Sequence, residues 1–388
     1  MSRRSDTTPR GTPHHGSGRS CPHIKDSPTN QPLAPAGRAR CRGWDRAWWV
    51  SGLLFEHPAR RDYARGLRHN RNLNRLEPAD FKHSTLWGNG ATRKAAIPGS
   101  WKIVRCSSCG LLAQDPLPAP SGIANFYPAS YSAYNSDTII SWMSEAVFAQ
   151  DARQISQLAP KDVCILDVGC GNGRALLAMR GRGFRRLAGL EIDREAAQRA
   201  KQSGLDVRCS ELIDTDFADG SFDLIRMGHV IEHVLDPMAT LHRAYRLLKP
   251  GGILMGETPN TDCLDWRIFK KYWGPLHVPR HIFIFDDRNL RQALQRANFV
   301  DIETGFGLRT VGWSASVQNL LADRAGVSIP PSGRVPWYSI LIAIFLPVTL
   351  IQAAVGETAT VAFRARKPAR NRLRSRDLPP VSSNFRCS

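Results

Sequence analysis

Residues 163–174 read VCILDVGCGNGR: an apolar run of strand length passes through Asp167, and glycines follow at 169, 171 and 173. The next run, GRALLAMRGRG, has helical spacing and closes on glycine, so the stretch reads as strand, tight turn and helix. Such a unit constrains the fold strongly, because its repetition builds a parallel sheet whose faces are covered by the helices. It does repeat. RLAGLEID reads as a strand, REAAQRAKQSG as a helix, and VRCSE and FDLIRMG as strands. ATLHRAYRLLKPGG is an amphipathic helix stopped by Pro-Gly-Gly, and ILMGETP is a fifth strand. DRNLRQALQRANF, VDIETGF and TATVAFRARK add a helix and two strands. The pattern predicts an α/β, Rossmann-like fold with a mainly parallel sheet and helices on both faces. Ligands in such sheets sit beyond the carboxyl ends of the strands, where GCGNG lies.

Without Cβ atoms, Gly169, Gly171 and Gly173 let the main chain turn sharply and touch a ligand, although a purely structural turn would use the same residues. Dinucleotide folds use GxGxxG and seat a pyrophosphate on the helix N-terminus. Here the spacing is GxGxG, and Asp167 stands where it would repel phosphate. An ammonium group suits that carboxylate better. Glu191 ends the second strand 24 residues later, a suitable reach for a ribose diol, and Glu211 and Leu212 end the third, suited to an adenine amino group and ring face. Ammonium, ribose and adenine are the parts of S-adenosylmethionine.

With ILDVGCGNGR, GLEID, DGSFDLIRMGHVIEHVLDP, LLKPGGILMGETPN, WGPLHVPRHIFIFDDRNLRQALQRANF and the earlier CSSCGLLAQDPLPAPSGIANFYPASY, the chain resembles the class I S-adenosylmethionine-dependent methyltransferases over roughly residues 101–310. The branch it resembles is bacterial, modifies small molecules and sugars, carries an N-terminal CxxCGL segment and is related to the ubiquinone-biosynthesis O-methyltransferases. The resemblance implies a seven-stranded sheet. It also implies that Asp167, Gly169, Gly171 and Gly173 take the methionine end of the cofactor, Glu191 the ribose, and Glu211 and Leu212 the adenine. His229 is assigned to the cofactor side with them.

Methyl transfer from a sulfonium is an in-line displacement, so positioning in a dry pocket carries most of the catalysis. Enzymes of this kind that act on amino groups of bases or glutamine carry an Asp/Asn-Pro-Pro-aromatic tetrad after strand four, and this chain has RMGHVIEHV instead. An oxygen or carbon acceptor is therefore expected, with oxygen preferred. His229, Glu232 and His233 stand at i, i+3 and i+4, one face if the segment is helical. Three readings are open: a general base, with His233 leading; a divalent ion, since ubiquinone O-methyltransferases have ExxEH where His229 here replaces the first Glu; or a pair that only caps and orients the loop. The segment of about 260–285 is expected to be an acceptor lid, with Trp273, His277 and His281 lining the pocket. The catalytic set expected is His233, Glu232 and His281.

Cys106 and Cys109 form half a zinc knuckle. Relatives supply a second CxxC upstream; none occurs between residues 42 and 105, so either His83 and another ligand complete the site or the turn is metal-free, the reading preferred here. From Trp337 to Val355 there are 19 uncharged residues interrupted by Pro347. If TATVAFRARK returns to the sheet a single span is forbidden, and a monotopic, membrane-dipping hairpin is expected over a buried helix pair. Net charge is +19, yet residues 1–100 hold 18 Lys/Arg against 7 Asp/Glu and residues 364–388 hold 8 against 1, which leaves 27 against 26 between. The basic excess lies in the tails, which argues against a nucleic-acid partner. Residues 1–100 read as a disordered basic tail or an extension upstream of the true start, 101–135 as the CxxC segment, 136–367 as the catalytic domain and 368–388 as a basic tail. Scattered cysteines suit a reducing, cytoplasmic setting, with a peripheral position on the inner membrane face. The function expected is methylation of a small-molecule, sugar or lipid-linked acceptor. The competing readings are a non-catalytic binding protein that keeps the fold, and an RNA methyltransferase.

Overall fold

The structure, a computed structural model, describes residues 102–106, 109–118, 139–307, 311–330 and 333–369. The tail expectations for 1–100 and for 370–388 lie outside the described residues. The chain opens with a hairpin of β1 (Lys102–Arg105) and β2 (Leu112–Asp115), followed by α1 (Ile139–Leu158). The repeating βα units then run β3 (Cys164–Val168), α2 (Arg174–Gly181), β4 (Arg186–Glu191), α3 (Arg194–Gln202), β5 (Asp206–Cys209), β6 (Phe222–Gly228), α4 (Pro237–Leu247) and β7 (Leu248–Pro259). The segment after β7 holds α5 (Leu264–Phe269), two short 3-10 turns and β8 (Phe283–Ile284). It is followed by α6 (Asp287–Arg296), β9 (Val300–Gly305), α7 (Val311–Arg324), α8 (Tyr338–Val355) and β10 (Thr360–Arg366).

The main sheet has seven strands in the order β5-β4-β3-β6-β7-β10-β9. β10 runs antiparallel to both of its neighbours, and the other six strands share one direction. Alternation of side chains divides the core in two. Cys164, Leu166 and Val168 of β3 join Leu241, Ala244 and Leu290 of α4 and α6, whereas Ile165 joins Ile155, Leu176, Met179 and Ala200 of α1, α2 and α3. Each face of the sheet thus has its own helical cover. The helices begin where side-chain oxygens take their unpaired amide protons: Asp193 accepts from Ala196, Asp236 from Ala239 ahead of Pro237, and Asp286 and Asn289 close a reciprocal box at α6.

Three boundaries differ from the sequence reading. α4 ends at Leu247, and the Leu-Lys-Pro-Gly that follows runs as the start of β7, with a register shift against β6 between Phe222 and Leu224. β5 stops at Cys209, so Glu211 and Leu212 lie in the turn beyond it. Residues 338–355 form no hairpin: they are one helix with Pro347 inside it, and α8 packs on α7 instead of folding back on itself. Tyr338, Leu341, Ile342, Thr349 and Gln352 face inward, while Ile340, Ile344, Leu350, Ile351 and Val355 are exposed. By length and composition alone this helix could cross a membrane, but β10 begins five residues after its end and pairs along β7 and β9. Arg364 is buried in β10 and paired with Glu303.

Candidate active site

β3 carries Asp167 to the upper edge of the sheet, where its side chain is fully buried. The turn that follows holds Gly169, Gly171 and Gly173 at φ 68, 56 and 84°, a region that penalises any Cβ. A Cβ on Gly169 would lie 2.7 Å from Val230 Cγ2, and one on Gly173 would lie 2.2 Å from Leu205 Cδ1. The outer two glycines therefore answer to packing as well as to turn geometry. The Gly171 N–H donates to Glu191 Oε2 at 2.8 Å, and the Asp193 N–H donates to Oε1 at 2.8 Å. Burial pushes the Glu191 carboxyl up, while these backbone donors pull it down. Glu191 thus braces the turn through the backbone amides around it.

Asp167 Oδ1 accepts from Arg226 Nη1 at 2.9 Å, and the same guanidinium donates through Nη2 to Asp151 Oδ2 at 2.7 Å. Asp167 Oδ2 is buried with no hydrogen-bond partner. Burial raises the Asp167 pKa, and Arg226 opposes the rise. Sequence reasoning missed Arg226 because FDLIRMG scans as an apolar strand. The available signal was an arginine in the middle of that strand, where a countercharge is obligatory.

At the neighbouring strand ends, Glu211 is exposed and the Leu212 side chain turns into the core with Phe217. Leu212 therefore does not present its side chain to a ring, contrary to expectation. The apolar residues left in the open there are Ile192 and Ile213, 46% and 43% exposed, each one place further along the chain than Glu191 and Leu212. β4 and β5 pair there, Glu191 opposite Cys209.

Across the site, residues 229–233 form a turn and not the helical face considered from sequence. His229 takes φ 55°, its Nδ1 lies 3.0 Å from Glu232 Oε1, and its Nε2 lies 3.3 Å from Glu257 Oε1. Desolvation works against its charge, but the two glutamates outweigh it and push the imidazole up to about 10. An imidazolium is neither a base nor a metal ligand, and it is a poor neighbour for a cationic cofactor. Glu232 is fully buried; Thr258 Oγ1 donates to its Oε2 at 3.0 Å, and its carbonyl accepts from the Ile282 and Phe283 amides.

His233 Nδ1 faces the Arg280 carbonyl at 3.0 Å, and His281 Nδ1 faces the Pro275 carbonyl at 2.7 Å. A carbonyl only accepts, so the ring proton is assigned to Nδ1 in both, and the lone pair of each neutral ring to Nε2. Desolvation lowers the pKa of both rings, so both are neutral near pH 7. Their rings meet edge to face at 4.6 Å, and His277 continues the row at 5.1 Å from His281. Among the described residues the one group of three with metal-ligand spacing is Glu232, His233 and His281, within 4.8 Å of one another, so His281 from the lid replaces His229 in that set. Trp273 does not line a pocket: it is fully buried beside Trp266, and its Nε1 donates to the buried Asp265 at 2.9 Å.

Cys106 and Cys109 are buried in the main core, and burial raises the Cys109 thiol; His83, the other ligand considered, lies outside the described residues. Among the described residues no His, Asp or Glu joins them in a metal-spaced group.

Residues 140–304 match a family model described as a methyltransferase domain. The ubiquinone biosynthesis O-methyltransferase of Parvibaculum lavamentivorans is 30% identical over 180 residues, which covers 44% of this chain and 65% of that protein. The enzyme of the same name from Cereibacter sphaeroides is 33% identical over 134 residues, 32% of this chain and 52% of that protein. A probable S-adenosylmethionine-dependent methyltransferase of Mycolicibacterium smegmatis is 34% identical over 100 residues, 25% of this chain and 38% of that protein. The chain thus spans between about two fifths and just under two thirds of these relatives' lengths. With six co-directional strands, an antiparallel β10 inserted next to the edge and a GxGxG turn after β3, the chain has a Rossmann-like class I methyltransferase fold, and its residues 140–304 match the methyltransferase-domain family.

Proposed function

We propose that the chain methylates an oxygen of a small-molecule, sugar or lipid-linked acceptor, with S-adenosylmethionine as donor and His233 as the base. The observation that carries this reading is the neutral His233 ring, whose Nδ1 proton is held by the Arg280 carbonyl so that its basic nitrogen is Nε2. On this reading Asp167 and the Gly169–Gly173 turn hold the methionine end, Glu191 the ribose, Glu211 the adenine amino group, and Ile192 and Ile213 the ring faces. The buried Oδ2 of Asp167, with no partner of its own, supports the fit of an ammonium group. The cofactor supplies an electrophilic methyl group. His233 takes the acceptor proton, and Glu232, bonded to Thr258 and His229, fixes the turn that presents the ring. Residues 136–367 would be the catalytic domain, with the 101–135 segment bracing its lid through the pairing of β2 with β8.

A divalent ion held by Glu232, His233 and His281 is a second reading, supported by their mutual spacing alone. A lipid-linked acceptor at the cytoplasmic membrane face is supported by the exposed apolar side of α8. That helix also donates from Gln352 to Asp265 of the lid. The test is incubation with labelled cofactor and fractionated cell extract, with identification of the labelled product. A methylated phenol, sugar hydroxyl or lipid headgroup is expected. Label confined to RNA, or cofactor binding with no transfer to any fraction, would overturn the reading.

A further inference from the structure

Arg226 is an odd residue for the centre of a parallel sheet. It sits on β6 next to β3, 7% exposed at the side chain, with a carboxylate on either side: Asp167 of β3 at 2.9 Å and Asp151 of α1 at 2.7 Å. The guanidinium lies flat against the end of its own strand because Gly228 leaves room for it. A Cβ there would fall 2.8 Å from Nη2 and 3.0 Å from both Cζ and Nη1. Nη1 occupies Oδ1 of Asp167, while Oδ2 is left buried and unbonded. The guanidinium is shared between two carboxylates, so one oxygen of the fully buried Asp167 is left without a donor, and such a group is costly unless a ligand fills it.

We infer that Arg226, seated by Gly228 and tied back by Asp151, is a positioning residue that fixes Asp167 by one oxygen so that the other faces the ammonium group of the cofactor's amino-acid end. The inference rests on the cofactor placement proposed above and assigns a role to residues that placement did not use. It also connects the loop to α1, the helix next to the turn, which makes a second contact there through Glu145 and Arg174.

The experiment compares two ligands that share the adenosine part. S-adenosylhomocysteine carries the ammonium; 5′-methylthioadenosine lacks the amino-acid end. Their dissociation constants are measured by calorimetry on the full chain and on Arg226→Met, Arg226→Lys, Gly228→Ala and Asp151→Asn. Arg226→Met should weaken S-adenosylhomocysteine by at least about tenfold, the range of one charged hydrogen bond, and 5′-methylthioadenosine by less than about twofold. Arg226→Lys keeps the charge but not the two-sided grip and should fall between. Gly228→Ala and Asp151→Asn should show the same ligand-selective loss in milder form, and they carry the test if Arg226→Met fails to fold. Equal losses for both ligands would reduce Arg226 to a structural ion pair and overturn the inference, as would unchanged S-adenosylhomocysteine binding. If the unaltered chain binds neither ligand, the cofactor reading itself falls and this inference with it.

Discussion

The two halves of the candidate site are built in different ways. The cofactor half is made at adjacent strand ends: Gly171 bonds Glu191 across 20 residues, Asp193 bonds Glu191 across two, and Arg226 of the neighbouring strand bonds Asp167 across 59. The acceptor half joins a turn after β6 to a lid far along the chain, His233 to Arg280 across 47 residues and Glu232 to Ile282 across fifty. One half is therefore fixed by neighbouring strands of the sheet, and the other by the approach of the segment after β7 to the β6 turn. Substitutions should separate them, the first half failing in binding and the second in turnover.

The largest effect expected is on turnover. His233→Ala should lower kcat by about 100-fold or more, since positioned proton transfer contributes ~10² to 10⁴, and should leave cofactor affinity within about twofold. A chelator that reproduces the loss in the unaltered enzyme, together with equal losses in Glu232→Ala and His281→Ala, would replace the base with a metal ion. Parallel loss of thermal stability and cofactor affinity in all three would leave the turn with an orienting role alone.

Next in size is Asp167→Ala, which should weaken S-adenosylmethionine by at least about tenfold, because a charged hydrogen bond is worth ~1.5 to 3 kcal/mol. Its kcat at saturating cofactor should change much less. If kcat falls as far as in His233→Ala while affinity holds, the division between the halves is wrong.

That division also explains what could be read in advance. The turn after β3, Asp167 and Glu191 were legible because strand-to-helix punctuation and a strand-end carboxylate are local signals. Arg226 was hidden inside an apolar run, and the partner it needs on α1 lies 75 residues away. Leu212 was misread because the sequence does not say which of two neighbouring apolar residues turns into the core; Ile213 stays out. The partner of His281 is not legible in the sequence, because only the tertiary approach of the segment after β7 brings it edge to face with His233. The hairpin expected at 337–355 rested on the return of β10 to the sheet, which forbids a single span; the chain returns after one continuous helix that keeps Pro347, as a helix can when a neighbouring element supports it. Here α7 does, with Trp313 stacked on Phe345 and bonded to Gln352.

A smaller effect is expected on membrane contact. Ile344→Asp, on the exposed side of α8, should reduce binding to anionic vesicles by roughly tenfold or more, given ~1.5 to 3 kcal/mol for an isoleucine fully buried. Methyl transfer to a water-soluble acceptor should be unchanged. A chain that stays out of the vesicle fraction at moderate salt even before substitution would remove the membrane from the proposal.

The smallest effect is a pH dependence confined to the acceptor half. His229 is held as a cation by Glu257 and Glu232, with its pKa pushed up to about 10 from an ordinary value near 6.5. A group whose folded pKa is raised adds stability fully below its unfolded pKa and loses it as pH rises through the folded one. The contribution should therefore be complete below about pH 6.5, decline above it and vanish beyond about pH 10. Solvent reaches 43% of the His229 side chain, so the change should be a shallow downward slope in Tm and not a transition. Glu257→Gln removes one of the two carboxylates and should lower the upper end of the window, which flattens the slope at high pH; His229→Asn should abolish it. Asp167→Ala leaves His229 and its two carboxylates in place, so the alkaline part of the slope should remain. A slope that survives His229→Asn would place its origin elsewhere and remove the electrostatic link between the β6 turn and β7.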